Sequence, residues 1–338
     1  MTLLEIDNLD VRYGLDDSRE VHAVDDVSFT IDRDETFGLV GESGCGKTTL
    51  GKAIIRLLDE NGYVANGEIR FEDRDLAELS DSEIRDVRWA DISTISQSAM
   101  NGLNPVYKVG DQITEAILRH EPETTAQEAD ERARELLERV GIEGERADDF
   151  AHEFSGGMKQ RAVIAMAIAC DPDLIIADEP TTALDVIVQD AVLEELETLQ
   201  EEFGVALLII SHDISVIAET CDRVGVMYGG KLMELGPTEA VFDSPANPYT
   251  LGLRNSFPDI ESTGDQLVSI PGSPPTLTDP EAGCRFRARC PFAVSECETE
   301  HPPLERVEGS TDHVSACYRL EDLAEMRERA AEEGTWRQ

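Results

Sequence analysis

Apolar and polar residues alternate along the first thirty residues of the chain. The alternation covers residues 2 to 12 and residues 20 to 31. A period of two predicts strands that bury one side and expose the other. A further short strand is predicted over residues 66 to 71, where it follows a turn signal at Asn66-Gly67. We therefore expect an antiparallel β-subdomain in this part of the chain.

Later in the chain the pattern changes to short, continuous apolar runs. These runs cover residues 37 to 40, 92 to 95, 174 to 177 and 206 to 210, and the second of them is interrupted by Ser93 and Thr94. Runs of this length are typical of buried strands in a parallel sheet. A helix is predicted over residues 49 to 58, and a helical period extends from Val109 to about Ala169. The pattern predicts an α/β core with an inserted helical subdomain.

The segment after the first apolar run fits a phosphate-binding loop. Residues 41 to 48 match G-x-x-x-x-G-K-[ST] between a predicted strand and a predicted helix. In such a loop Lys47 reaches the β- and γ-phosphates, and the Thr48 hydroxyl is a ligand of Mg²⁺. The alternative is a glycine-rich turn that matches by chance. The predicted nucleotide-binding residues here are Gly41, Ser43, Gly44, Cys45, Gly46, Lys47, Thr48 and Thr49.

Polar side chains follow the other apolar runs. Asp178 and Glu179 come after the third run, where Asp178 is predicted to hold Mg²⁺ through water and Glu179 to polarise an attacking water. Gln97 follows the second run and His212 the fourth, and His212 is predicted to contact a γ-phosphate. The alternatives are N-capping acids for the two carboxylates and a structural role for the histidine.

Two further features bear on nucleotide binding. Ser155-Gly156-Gly157 precedes an apolar helix predicted over residues 162 to 170, so it is either a second anion-binding helix start or a plain helix cap. Tyr13 ends the first alternating run, where it either stacks on a nucleotide base or is a simple edge-strand tyrosine.

The chain is very acidic. Its 338 residues carry 71 acidic and 29 basic side chains, which gives a formal charge of −42, and only five of the basic residues are lysines. This charge disfavours binding to nucleic acid. We interpret it as an adaptation to a halophile cytoplasm, against the alternative of an ordinary acidic mesophile protein. No apolar run is long enough to span a membrane, and we expect no signal peptide.

Four of the seven cysteines lie close together near the end of the chain. Cys284, Cys290, Cys297 and Cys317 have the spacing C-x₅-C-x₆-C-x₁₉-C. Four thiolates suit either tetrahedral zinc or an iron–sulfur cluster, and four unligated thiols in a packed segment are the alternative. The sequence predicts a structural metal site here.

The order of these motifs resembles the nucleotide-binding subunits of ATP-binding-cassette (ABC) transporters, along the whole chain. The motifs that carry the resemblance are Tyr13 as the A-loop, 41–48 as Walker A, Gln97 as the Q-loop, 154–158 as the signature, 174–179 as Walker B, 183–185 as the D-loop and His212 as the switch histidine. The signature departs from the usual pattern at Phe154 and Met158. The resemblance implies that Ser155, Gly156, Gly157 and Asp185 bind nucleotide, that Gln97 is a catalytic residue and an Mg²⁺ ligand, and that Glu179 and His212 are catalytic.

Further segments resemble the dipeptide and oligopeptide importers of this family, namely 97–105, 178–186, 247–250, 270–275 and 283–292. The resemblance implies ATP and Mg²⁺ as cofactors and favours a [4Fe–4S] cluster over zinc at the four cysteines. It also implies a head-to-tail dimer with a second ATPase subunit, two membrane permeases, an extracellular binding protein as an indirect partner, and a position at the cytoplasmic face of the membrane. The remaining alternatives are an importer ATPase for nickel or sugar, and a soluble ABC ATPase.

The predicted fold is α/β, with a P-loop NTPase core, an antiparallel β-subdomain, an inserted helical subdomain and a small C-terminal extension. We predict an ATP-binding core at residues 1–97 and 172–236, a helical subdomain at 98–171 and the extension at 237–338.

Overall fold

A computed structural model describes residues 1–16, 18–96, 102–181, 186–256 and 270–336. The chain folds into two compact units that each contain several separate stretches of sequence. The first unit comprises Met1–Leu4, Ile31–Thr36 and Phe71–Ile210, and the second comprises Glu5–Thr30, Phe37–Arg70 and Ser211–Gln338. The domain boundaries predicted from the sequence stay a prediction.

Twelve strands lie within the described residues. They are β1 Thr2–Gly14, β2 Glu20–Asp32, β3 Thr36–Val40, β4 Gly62–Phe71, β5 Arg74–Asp75, β6 Ile92–Ile95, β7 Leu174–Asp178, β8 Ala206–Ser211, β9 Arg223–Tyr228, β10 Lys231–Pro237, β11 Leu304–Arg306 and β12 Val314–Ala316.

The α-helices of the described residues vary from one turn to five turns. They are α1 Lys47–Ile54, α2 Glu83–Ala90, α3 Val109–His120, α4 Ala126–Arg139, α5 Gly156–Ala167, α6 Val186–Phe203, α7 Ile214–Thr220, α8 Thr238–Asp243, α9 Pro248–Asn255, α10 Leu323–Ala330 and α11 Glu333–Trp336. Of the helices in these ranges, none is both long enough and apolar enough to cross a membrane.

The first unit combines parallel strands with a group of helices. Strand β7 lies between β6 and β8 and runs parallel to both. Its residues from Leu174 to Ala177 are buried, as is typical of strands in a parallel sheet. Helices α3, α4 and α5 pack against one another through apolar positions at helical spacing, including Ile113, Leu137 and Ile164. These helices occupy the stretch for which the sequence predicts a helical insertion.

The second unit contains the strand that leads into the phosphate loop. Strand β3 pairs in parallel with β9, and β9 pairs antiparallel with β10. Two short strands continue this sheet, since β12 pairs with β10 and β11 pairs with β12; both belong to residues 237–338, here called the C-terminal segment. Strands β2, β1 and β4 are neighbours in another sheet. The predicted α/β class is confirmed.

Two predicted helices have different ends in the structure. The helix predicted over residues 49 to 58 is α1, which begins at Lys47 and ends at Ile54, because Arg56 adopts a left-handed backbone with φ of 51°. The helix predicted over residues 162 to 170 is α5, which begins directly after Ser155. Its two N-terminal glycines lack apolar side chains, so the apolar pattern marks only the later turns.

Candidate nucleotide-binding site

The phosphate loop joins a fully buried strand to a helix. Residues Thr36 to Val40 of β3 are buried, and α1 begins at Lys47. Gly46 precedes the helix with φ of 110°, and a Cβ atom there would lie 2.0 Å from the carbonyl oxygen of Ala23. A residue with a side chain would therefore meet both backbone strain and a clash. The loop closes only because glycine occupies this position.

The Lys47 side chain folds back over the loop. Its Nζ donates to the carbonyl oxygens of Gly41 at 2.7 Å and Glu42 at 3.3 Å, and it lies 3.7 Å from Cys45 Sγ. Burial raises the pKa of the Cys45 thiol, so this sulfur stays protonated and uncharged. Lys47 thus concentrates positive charge inside a loop whose backbone suits an anion.

Other predicted residues surround this loop. Ser43, Gly44 and Thr48 are exposed to solvent. The Tyr13 hydroxyl lies 3.4 Å from Thr49 Oγ1 in helix α1, and either group can donate. The Tyr13 ring lies against Gly62, where a Cβ atom would approach it to 2.7 Å. The structure therefore brings Tyr13 to the helix that follows the phosphate loop, within the second unit.

The carboxylate predicted to hold Mg²⁺ and the carboxylate predicted to be catalytic lie at the end of a buried strand of the first unit. Asp178 is the last residue of β7, and Glu179 follows it. The Glu179 backbone is left-handed with φ of 53°, and its N–H donates to the Ile210 carbonyl oxygen at 2.8 Å. A non-glycine residue in this region is strained, and such strain is concentrated at functional sites. The strained backbone sets the direction in which the Glu179 side chain leaves the sheet.

The predicted signature residues form the start of helix α5. The Ser155 hydroxyl accepts from the Met158 N–H at 3.3 Å, so this serine is the N-cap. Gly156 and Gly157 are the first two residues of the helix. Exposed backbone N–H groups and the helix dipole at this end suit an anionic ligand.

Helix α5 makes one contact that was not predicted from the sequence. The Gln160 side-chain amide, which is 2% exposed, donates from Nε2 to the Pro180 carbonyl oxygen at 2.9 Å. The bond joins the helix that Ser155 caps to the residue after Glu179. The sequence signals this bond only by a glutamine placed just before the apolar stretch of the helix.

Of the three remaining predicted site residues, the structure describes only His212. His212 directly follows β8 and is exposed, and the next residue, Asp213, caps α7 by accepting from the Ser215 N–H at 2.9 Å. Gln97 and Asp185 lie outside the described residues.

The prediction of an iron–sulfur or zinc site is wrong. Cys284, Cys290, Cys297 and Cys317 line one cavity, but its volume of about 20 Å³ holds roughly one water. The Cys284 thiol donates a hydrogen bond to Cys297 and lowers the pKa of Cys297 to about 6, whereas burial raises the pKa of Cys290 to about 12. Across the ranges that the structure describes, no group of three or more histidine, cysteine, aspartate or glutamate residues is arranged to hold a metal ion. The four cysteines form no disulfide with one another and pack around a small apolar cavity.

Comparison with protein families gives two matches. The family described as "ABC transporter" matches residues 24–182, and the family described as "Oligopeptide/dipeptide transporter, C-terminal region" matches residues 233–297. The second match covers most of β10, helices α8 and α9 and three of the four cysteines.

Named relatives are similar over most of the chain. The dipeptide transport ATP-binding protein DppD of Bacillus subtilis is 44% identical over 90% of this chain and 91% of its own. The oligopeptide transport ATP-binding protein OppD of the same organism is 45% identical over 90% of this chain and 86% of its own. A putative peptide import ATP-binding protein of Brucella melitensis is 43% identical over 91% of this chain and 94% of its own.

Solved structures are similar over about seven tenths of the chain. The ATP-binding cassette MJ0796, in a dimeric post-hydrolysis state bound to ADP and Pi, has a TM-score of 0.62 and 25% identity over 70% of this chain and 99% of its own. The cassette cbiO1 of Clostridium perfringens, part of the transporter complex cbiONQ, has a TM-score of 0.62 and 27% identity over 72% of this chain and 91% of its own.

The fold and the phosphate loop define an ABC-type ATPase, and the predicted P-loop fold is confirmed. Within that class the chain belongs to the family of ATP-binding subunits of dipeptide and oligopeptide ABC transporters. It is an ATPase of the kind that powers transport.

Proposed function

We propose that this chain hydrolyses ATP to power the import of dipeptides or oligopeptides. The observation that carries the proposal is the identity of 44–45% with DppD and OppD along nine tenths of the chain. Residues 233–297 also match the family described as "Oligopeptide/dipeptide transporter, C-terminal region", which supports a peptide as the cargo. Importers of nickel or sugar remain the alternative within the family.

We propose that ATP binds with its phosphates on the loop from Gly41 to Thr48. Lys47 carries the charge that neutralises the β- and γ-phosphates, and Tyr13 offers a ring face to the adenine. Thr48 and Asp178 provide hard oxygen donors of the kind that Mg²⁺ prefers, and Gln97 stays a predicted third ligand. When bound, Mg²⁺ withdraws charge from the phosphate oxygens.

We propose separate roles for the catalytic groups. Glu179 accepts a proton from, or orients, the water that attacks the γ-phosphate, and its strained backbone supports that role. His212 contacts the γ-phosphate from the end of β8. Gln97 stays a predicted catalytic residue that links the metal and the water, and Asp185 a predicted nucleotide contact.

We propose that the ATPase acts as a head-to-tail dimer, either with an identical chain or with a related ATPase. Ser155, Gly156 and Gly157 of one subunit then close the nucleotide bound to the other, because a single phosphate loop leaves the γ-phosphate open to water. The dimer docks on two membrane permeases at the cytoplasmic face, and the permeases receive cargo from an extracellular binding protein. Opening of the dimer after hydrolysis moves the permeases.

A soluble ABC ATPase acting on nucleic acid is disfavoured by charge. At −42 the chain would repel phosphate backbones, whose binding requires positive side chains. A purely structural subunit is disfavoured because Lys47, Asp178, Glu179 and His212 are all present.

Uptake by cells tests the proposed cargo. A strain that lacks the gene is expected to lose uptake of a labelled dipeptide but to keep uptake of Ni²⁺ and of a labelled sugar. The wild-type gene restores peptide uptake, and Lys47→Ala does not. Lys52→Ala is the matched control, because Lys52 lies on the same helix with its side chain 42% exposed. Loss of Ni²⁺ or sugar uptake instead of peptide uptake would overturn the cargo assignment.

A further inference from the structure

The phosphate loop is held by the C-terminal segment through one residue of the loop, Glu42. The two carboxylate oxygens of Glu42 accept from the two terminal nitrogens of Arg289, with Nη1–Oε2 at 2.7 Å and Nη2–Oε1 at 2.9 Å. Two parallel bonds between a guanidinium and a carboxylate fix orientation as well as distance. Arg289 and Glu42 are 247 residues apart in the chain.

Arg289 itself is rigidly held. Its Nε donates to the Pro271 carbonyl oxygen at 2.7 Å, Nη1 also donates to the Tyr228 hydroxyl at 3.1 Å, and Nη2 to the Ile270 carbonyl oxygen at 3.4 Å. The side chain is 7% exposed, and its guanidinium lies 5.6 Å from the Tyr228 ring centroid. All three nitrogens of Arg289 are therefore engaged, so it presents Glu42 with one fixed geometry.

The backbone of Glu42 is held independently. Its N–H donates to the Tyr249 hydroxyl at 3.0 Å. Tyr249 is fully buried and packs against Tyr228 and Phe286, with ring centroids 4.6 and 5.3 Å away. A hydroxyl on such a packed ring has little freedom.

The position of Glu42 bears directly on Lys47. The carbonyl oxygens of Gly41 and Glu42 both accept from Lys47 Nζ. A shift of the Glu42 peptide therefore moves the groups that Lys47 contacts. A displacement of a binding group by about 1 Å is enough to lower the rate of catalysis by a large factor.

We propose that Arg289 and Tyr249 are positioning residues for the phosphate loop, and that the C-terminal segment thereby sets the affinity of this ATPase for ATP. The claim rests on the proposed role of residues 41 to 48 in binding the phosphates. The alternative is that Arg289 only attaches the C-terminal segment, in which case its loss lowers stability without changing ATP affinity.

Arg285 provides a matched control for this alternative. It belongs to the same segment, is likewise 7% exposed, and pairs with the Asp25 carboxylate rather than with the loop. Arg285→Gln and Arg289→Gln remove the same charge from the same segment. Only Arg289→Gln removes a contact to the phosphate loop.

The test measures Kd for Mg–ATP, KM, kcat and Tm of the full chain in molar KCl. Arg289→Gln is expected to raise Kd and KM about tenfold with kcat changed less than about threefold, because a buried group loses its partner. Arg289→Lys keeps the charge but not the paired geometry, and is expected to rescue only part of the affinity. Arg285→Gln is expected to lower Tm and leave Kd within about twofold of wild type.

Tyr249→Phe tests the second contact without removing a charge. This variant is expected to raise Kd about threefold, because it leaves the Glu42 N–H unpaired. It also tests the proposal if the Arg289→Gln protein does not fold. In the Arg289→Gln protein, a further Glu42→Gln change is expected to raise Kd little more, since the two side chains act as one pair. An Arg289→Gln or Tyr249→Phe protein with wild-type Kd overturns the proposal. Absence of ATP hydrolysis in the wild-type chain would instead overturn the proposed function.

Discussion

The side-chain amide of Gln160 donates to the main-chain carbonyl oxygen of Pro180 at 2.9 Å. Gln160 belongs to the helix capped by Ser155, and Pro180 directly follows Glu179. Gln160→Met keeps the side-chain length but leaves a buried carbonyl unpaired, at a cost of about 1–3 kcal/mol. We expect kcat to fall about tenfold or more, with ATP affinity close to wild type.

Gln127→Met is the control for that variant, since Gln127 is an exposed glutamine on α4. Steady-state hydrolysis over a range of ATP concentrations separates kcat from KM. A Gln160→Met protein with wild-type kcat would show that the bond to Pro180 has only a structural role.

Glu179→Gln tests the proposed role of this carboxylate in hydrolysis. Glutamine keeps the size but cannot take a proton, so turnover is expected to fall by about 10²–10⁴-fold while ATP still binds. Light scattering should detect an ATP-bound dimer that no longer dissociates. Glu35→Gln, which replaces another buried glutamate of the first unit, is expected to keep turnover even if it lowers stability. Near-normal hydrolysis by Glu179→Gln would reject the role.

The acidic surface predicts a requirement for salt. In molar KCl the screening length is about 3 Å, so repulsion among carboxylates is weak, whereas at about 0.1 M it is near 10 Å. We expect ATPase activity and dimer formation to be highest in molar KCl, and both to be lost as salt is removed. Activity and light scattering during stepwise dialysis measure this. Full activity at about 0.1 M salt would contradict the halophile interpretation.

The ion pairs of Asp25 lead us to predict that the stability of the protein depends on pH. Burial opposes its ionisation, but Lys231 and Arg285 outweigh burial and lower the pKa below the ordinary value of 3.8. A carboxyl with a lowered pKa contributes stability that is present above its unfolded pKa and lost as pH falls through the folded one. Asp25→Asn should therefore be less stable than wild type at neutral pH, with the difference shrinking below about pH 4.

Urea unfolding of both proteins between pH 8 and pH 3 measures this difference in free energy. Asp26→Asn is the control, because Asp26 is exposed and asparagine tolerates its left-handed backbone, with φ of 57°. A difference between wild type and Asp25→Asn that is the same at pH 3 and pH 7 would contradict the assigned ion pairs.

The sequence predicts elements whose structure depends on local patterns of residues. The apolar patterns predicted β1 to β4 and β6 to β8 but not β5 or β9 to β12, and the glycine and lysine pattern predicted a loop between β3 and α1. Helix ends were less predictable, because the left-handed turn at Arg56 has no apolar signature. Gln97 and Asp185 lie outside the described residues, so their roles stay predictions.

Long-range contacts were beyond sequence reasoning. Nothing in the spacing of Glu42 and Arg289 indicates that they meet, because the contact depends on how the C-terminal segment packs within the second unit. The error at the cysteines has the same origin. Four cysteines close in sequence suggest ligands, but ligand geometry depends on side-chain directions that the spacing does not determine.

The central claim is that the loop from Gly41 to Thr48 binds ATP for hydrolysis, and ATP turnover by Lys47→Ala tests it most directly. The assay compares wild type, Lys47→Ala and the exposed control Lys52→Ala in molar KCl with Mg²⁺. We predict that wild type and Lys52→Ala hydrolyse ATP at similar rates, and that Lys47→Ala loses about 10²-fold or more, as expected when a phosphate-stabilising charge is removed. Equal turnover by Lys47→Ala and wild type would contradict the account.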